Sequence, residues 1–250
     1  MRTFKCGSFA VVFFTLIAAG PLTLESPIDD VLDALDARGQ GLNSFVADVK
    51  LTETDTALGD SNAHMGKVLY KAGDAPQIRV TFDKKQSNDK PPVEDKVEYK
   101  LAGPELIERN YRTSTQTTRH VLKPGQKLNL LKLGEGPFPL PIGQKKEDVH
   151  NNFDVKKIDI KKEDPAGTVH LQLTPKEGTQ FASKFKSIDV WVDLKDNMPR
   201  KIETLDPNAT ATRTTELSNV QVNPQLKDED FALPPIDEKT WQLHEEAFQR

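Results

Sequence analysis

The five histidines, His64, His120, His150, His170 and His244, are the side chains best suited to move protons or hold a metal near neutral pH, and they are scattered singly along the chain. His244-Glu245-Glu246 starts like a zinc-protease helix. No second histidine follows at the spacing that would place two imidazoles on one helix face. Each histidine is therefore read as a surface or turn residue. Asp228-Glu229-Asp230 offers the oxygen ligands calcium takes, and its plainer reading is an acidic turn before a strand. No glycine-rich phosphate loop and no Gly-x-Ser-x-Gly elbow occurs. Asn208-Ala209-Thr210 matches a short glycosylation sequon. The chemistry on offer is sparse: no catalytic residue, metal or cofactor is expected, and the protein is not read as an enzyme.

The elements that would position any such groups start at the N-terminus. Arg2 and Lys5 are the only charges before Glu25, and residues 9–19 are apolar or small except for Thr15. A basic start and about 11 apolar residues match a secretory signal peptide and fall short of the roughly 20 a transmembrane helix needs. Residues 1–25 are read as this leader, cleaved between Ala19 and Ser26, with an uncleaved anchor as the alternative. Cys6, the single cysteine, precedes the apolar run, whereas a lipid-attachment cysteine would follow it. Its loss leaves a mature chain without thiols, compatible with an oxidising compartment. The net charge of −4 becomes more negative once Arg2 and Lys5 are removed. That balance argues against nucleic acid and supplies no polybasic membrane anchor.

Residues 26–39 read as a helix. Ser26 suits the N-cap, Pro27 the first helical position, and Asp29 and Asp30 the positive end of the dipole. Ile28, Val31, Leu32 and Leu35 form one apolar stripe, which Arg38 and Gly39 close. From Phe45 the period becomes two: Phe45, Ala47, Val49 and Leu51, then Val68 and Tyr70, then Ile78, Val80 and Phe82, then Val97, Tyr99 and Leu101. Such alternation marks a sheet with one wet side. Residues 59–63 read as a polar turn, and the charged residues 84–96, with Pro91-Pro92, as a long exposed hairpin tip. Residues 106–122 supply two strands. Leu128, Leu130, Leu131 and Leu133 suggest a short helix or turn, residues 134–143 a proline-rich apolar loop, and residues 145–153 a second short helix. Strands resume at 153–160, 168–174, 187–194, 200–206 and 210–223 between turn signals, and Phe231, Leu233 and Pro234-Pro235 read as a tail closing the edge. About ten antiparallel strands with one helical interruption predict a mainly β (α+β) fold, a curved antiparallel sheet or unclosed β-barrel with short helices as a lid. On these residues alone, helices that simply plug an ordinary core are the plainer outcome.

Several segments carry a further signal through their order and spacing. They are Leu42-Asn43-Ser44-Phe45-Val46-Ala47-Asp48-Val49, Gly66-Lys67-Val68-Leu69-Tyr70-Lys71, Gln77-Ile78-Arg79-Val80, Ile188-Asp189-Val190-Trp191-Val192-Asp193, Met198-Pro199-Arg200-Lys201-Ile202-Glu203 and Phe231-Ala232-Leu233-Pro234-Pro235. Together they resemble the bacterial outer-membrane lipoprotein carrier family (LolA-type) over nearly the whole mature chain. The resemblance implies a carrier domain over residues 26–235 and a C-terminal tail over 236–250. It implies a periplasmic monomer that shields the acyl chains of lipoproteins or lipids in a hydrophobic cavity and shuttles them towards the outer membrane. An inner-membrane transporter would load it and an outer-membrane receptor unload it. A periplasmic lipid-sensing regulator or structural protein of the same fold is the alternative. The acyl cavity would be lined by Val68, Tyr70, Ile78, Val80, Phe82, Val97, Tyr99, Val169, Leu171, Val190 and Val192, and the lid formed by Ile28, Val31, Leu32, Leu35, Leu128, Leu130 and Leu131. The family's lid-contacting arginine falls at Ala72, after Lys71, so gating is expected to be missing or moved to Arg79 or Lys71.

Overall fold

A computed structural model describes residues 21–121 and 142–247. Residues 1–20 of the expected leader, residues 122–141, with Leu128, Leu130, Leu131 and most of the proline-rich loop, and residues 248–250 lie outside the described residues. The chain opens with helix α1 (Ile28–Gln40) and six strands: β1 (Ser44–Asp55), β2 (Ser61–Lys71), β3 (Gln77–Ser87), β4 (Val93–Ala102), β5 (Glu105–Asn110) and β6 (Thr115–His120). Helix α2 (Lys146–Asn152) leads into β7 (Phe153–Ile158), β8 (Thr168–Pro175), β9 (Ser187–Asp193), β10 (Pro199–Leu205) and β11 (Ala211–Val222). A 3-10 turn (Asp228–Phe231) and β12 (Gln242–Glu246) end the described chain.

All twelve strands form one sheet in the order β12-β6-β5-β4-β3-β2-β1-β11-β10-β9-β8-β7. Its ends, β12 and β7, do not meet, and both helices sit on its concave side. The unclosed, helix-covered sheet expected from the sequence is present. Curvature comes from register shifts at Val46/Asp48, Met65/Gly66, Phe82/Lys84 and Pro199/Lys201, each of which bends its strand. Gly66 is required at its bulge: a Cβ there would lie 1.8 Å from the Thr81 carbonyl oxygen.

The turn expected over 59–63 ends at Asp60, because Ser61 to Ala63 already pair with β1 as the start of β2; beyond that, local chemistry departs from expectation at four places. Helix α1 starts one residue later than expected, with Pro27 as N-cap, because the Ser26 hydroxyl instead accepts a hydrogen bond from the Thr23 amide (2.9 Å). It also runs past Gly39, and Gly41 caps it by donating to the Ala37 carbonyl (3.1 Å). The hairpin expected over 84–96 is mostly strand: β3 and β4 continue into it, Lys84 facing Glu94, and only residues 88–92 turn. Thirdly, the tail does more than close an edge. It crosses the outer face, and His244-Glu245-Glu246 lies in β12, parallel to β6. Finally, two histidines are not surface or turn residues. His170 in β8 is 6% exposed and stacks on Trp191 with ring centroids 4.0 Å apart, its Nε2 2.8 Å from Asp189. Half-buried His64 in β2 lies against Phe82. The first packs as a flat surface, with its ring 20° from the Trp191 plane, and the second meets Phe82 tilted by 57°.

Candidate functional site

The stripe of α1 faces the sheet: Val31 is fully buried, and Leu32, Ala34 and Leu35 nearly so. Helices α1 and α2 rest over β7 to β9, and a cavity of about 200 Å³ remains between them. Leu32 and Leu35 of α1 and Val149 of α2 form its roof, and Leu171, Leu173 and Val190 its floor. Phe153 and Phe181, with ring centroids 4.8 Å apart, form one wall. Gln144, Asp148, Asn152 and Gln180 are the polar lining residues, and each reaches solvent at least in part. The chamber is thus apolar inside and polar at its mouth.

The roof is held by ties of two kinds. Lys146 to Asp33 (2.7 Å) and His150 to Asp29 (2.9 Å) join α2 to α1, while the Lys157 ammonium donates to the Ser26 carbonyl (3.1 Å). These ties reach solvent, and such pairs contribute little, about 0–1 kcal/mol each. Tighter contact comes at the other end of α1. The Arg38 Nε donates to the Asp196 carbonyl (2.6 Å), and the Gly143 amide to the Leu35 carbonyl (3.2 Å). There Gly39 and Gly143 touch backbone to backbone, since a Cβ on Gly39 would lie 2.1 Å from the Gly143 Cα.

Of the residues expected at the site, Leu32, Leu35, Leu171 and Val190 border this cavity. Val68, Tyr70, Ile78, Val80, Phe82, Val169, Val192 and Val31 are buried in the same apolar cluster, with Ile28 half-buried against it, but none borders the chamber. Val97 is buried apart from that cluster. Tyr99 lies where the concave face turns polar: Glu108 is 3.4 Å from its hydroxyl and takes Arg119 at 2.6 Å. Burial, and then Glu108, push the phenol up to about 12. Leu128, Leu130 and Leu131 lie outside the described residues. Sequence reasoning missed Leu173, Phe153, Phe181 and Val149. Leu173 continues the alternation of Val169 and Leu171 and was within reach, whereas Phe181 sits in a turn with no periodic signal.

Neither of the two residues to which a lid contact was expected to move, Arg79 or Lys71, faces the helices. Arg79 points away from the helices, donating to Glu98 (2.6 Å) and to the carbonyls of Asp230 (3.1 Å) and Ala232 (2.9 Å), and Lys71 pairs with Asp228 (2.9 Å). Alternation places them on the outer face, where Glu98 is fully buried beneath the tail. Burial pushes its carboxyl up. Hydrogen bonds from Tyr111 and Arg79 and the charges of Arg79 and Lys96 outweigh this and hold it below the ordinary glutamate value. The Arg109 guanidinium, also buried, donates to the Pro234 carbonyl (2.5 Å), and Phe231 is fully buried. This cluster clamps the tail. Among the described residues, no group of His, Cys, Asp and Glu side chains is placed to hold a metal ion. No described helix is long and apolar enough to cross a membrane.

No family model and no curated protein matches the chain. Solved structures share its general course. An uncharacterized conserved protein from Thermus thermophilus is 12% identical, with a TM-score of 0.49 over 86% of this chain and 97% of that one. A putative outer membrane lipoprotein-sorting protein domain from Vibrio parahaemolyticus is 13% identical (TM-score 0.37, 81% and 94%). A LolA superfamily protein from Nitrosomonas europaea is also 13% identical (TM-score 0.32, 81% and 96%).

Proposed function

We propose that the protein is an exported acyl-chain carrier that holds a hydrocarbon tail in the cavity beneath α1 and α2. In this reading residues 1–25 are its leader, residues 26–235 the carrier domain, and the cargo a lipoprotein or lipid moved through the periplasm towards the outer membrane. A loading transporter and a receptor would be its partners. The observation that supports it is the chamber itself, an apolar space under two short helices with a polar mouth. Each buried methylene gains about 0.8 kcal/mol, so a free tail in water needs such a shield. Size limits the guest. An apolar cavity of about 150 Å³ takes one benzene, so the chamber of about 200 Å³ as it stands takes one tail or part of one. A cargo with several tails requires α1 and α2 to move, which their solvent-screened ties to each other permit.

The test is displacement of Nile red by 1-decanoylglycerol, followed by fluorescence on the purified mature protein. Saturable uptake with one site is expected. Leu171→Phe and Val149→Phe, which fill the chamber from floor and roof, should each reduce uptake at least tenfold, with a thermal midpoint within a few degrees of the parent. Absence of saturable uptake by the parent, or undiminished uptake by both folded variants, overturns the proposal.

A further inference from the structure

The apolar chamber and a second space lie side by side on the concave face, parted by one short turn. Leu173, Ile188 and Thr204 pair across β8, β9 and β10 in a single row. Leu173 borders the chamber, and Thr204 borders a groove of about 630 Å³ two strand spacings, or about 10 Å, away. Between them Ile188 is fully buried. The turn over residues 179–185 stands at this boundary: Gln180 and Phe181 line the chamber, while Lys184 and Phe185 line the groove. The amides of Lys184 and Phe185 both donate to the Phe181 carbonyl (2.9 Å each), and the Lys186 amide donates to the Leu205 carbonyl (2.9 Å), which holds the turn against β10. The other walls differ in kind. The floor residues Leu171, Leu173 and Val190 belong to paired strands, Phe153 pairs with Pro175, and the roof is helix. Beyond the Phe181 turn lies the groove.

We infer that Phe181 is the stop that sets how long a tail the chamber takes, which rests on the chamber being the acyl site. A cavity of about 150 Å³ holds the six carbons of benzene, so about 200 Å³ holds about eight, the hydrocarbon of an octanoyl or decanoyl ester. Each methylene taken from water strengthens binding about fourfold. Affinity therefore climbs with tail length until the chamber is full, and levels off once further carbons remain in water at the mouth. The Phe181 ring is buried, with its centroid 4.8 Å from that of Phe153, so a shorter side chain there lengthens the chamber on the side of the groove.

The test is displacement of Nile red from the mature protein by hexanoyl, octanoyl, decanoyl and dodecanoyl 1-monoacylglycerols, each below its aggregation concentration. In the parent, the octanoyl ester should bind about fifteenfold tighter than the hexanoyl, and the dodecanoyl within about threefold of the decanoyl. Phe181→Leu should move this ceiling outward, with the dodecanoyl ester at least about fivefold tighter than the decanoyl. Phe181→Trp should move it inward, with the decanoyl ester within about threefold of the octanoyl. Leucine is chosen over alanine because loss of a whole buried ring destabilises far more. The parent series alone can refute the ceiling, so the test survives a variant that fails to fold. Affinity that still climbs about fifteenfold from decanoyl to dodecanoyl in the parent overturns the inference while the acyl site stands, as does a ceiling that both folded variants leave in place. Failure of every ester to displace the dye from the parent removes the acyl site itself, and the inference with it.

Discussion

Arg79→Ala is expected to cost the fold about 3–5 kcal/mol, measured as the loss in urea-unfolding free energy at pH 7. The reason is Glu98, which no solvent reaches and whose carboxylate leans on the Arg79 guanidinium at 2.6 Å. Removing the cation leaves a buried charge with the Tyr111 hydroxyl and the more distant Lys96 (3.6 Å) as its remaining support. The same deletion frees the carbonyls of Asp230 and Ala232, so the tail loosens with the core of the cluster. The sign of the pH dependence follows. In the parent the folded carboxyl is held below its ordinary value of 4.5, so its contribution is fully present above that value and is lost as pH falls through the lowered folded one. In Arg79→Ala, burial dominates and the carboxyl protonates earlier, moving acid unfolding to higher pH. Glu98→Gln should flatten the stability profile below pH 4.5. An Arg79→Ala protein within about 1 kcal/mol of the parent would show that the pair is not what holds this face.

Gly39→Ala is expected to loosen the roof of the cavity without unfolding the sheet. The added methyl would lie 2.1 Å from the Gly143 Cα and 2.4 Å from its amide nitrogen, and both obstacles are backbone. Overpacking of this kind costs about 1–3 kcal/mol, of which alanine's better helix propensity returns about 1. The end of α1 must then part from residues 142 and 143, losing the bond from Gly143 to the Leu35 carbonyl. Since Leu35 roofs the chamber, decanoylglycerol should dissociate about tenfold faster in stopped-flow fluorescence, the equivalent of about 1.4 kcal/mol. Gly41→Ala supplies the control: its nearest obstacle is 3.6 Å away and its φ is −91°, so neither stability nor exchange should change. Equal behaviour of the two variants would refute a role for the Gly39–Gly143 contact.

Much of the sheet was legible because alternation is a local signal. Ile78, Val80 and Phe82 announce both a strand and its inner face, and α1 likewise shows its stripe in four residues. What escaped depends on pairing between distant strands. Glu98 sits among charged neighbours and reads as a wetted position. Its burial appears only when β3 lies beside β4, with Thr81 opposite, and the tail crosses above. Similarly Gln242–Glu246 carries one apolar residue in five, and its extended form is imposed by β6 and by the edge contact of Trp241 on Tyr111. The cavity was half legible. The stripe of α1 foretold a roof over apolar strands, but alternation could not say that the unfilled volume lies over β8 and β9 and not over β2 to β4. That depends on how far two short helices reach across a curved surface.

The parallel pairing of β12 with β6 bears on how the molecule keeps to itself. Thr115-Gln116-Thr117-Thr118 is an uncharged, β-prone run, and uncovered it would offer its peptide groups to any neighbouring chain. The last strand covers that run and substitutes a rim bearing Glu245 and Glu246, while the opposite border of the sheet carries Lys156 and Lys157 in β7. A chain cut after Asp237 would therefore keep its chamber yet expose a ribbon ready for fibrous self-association.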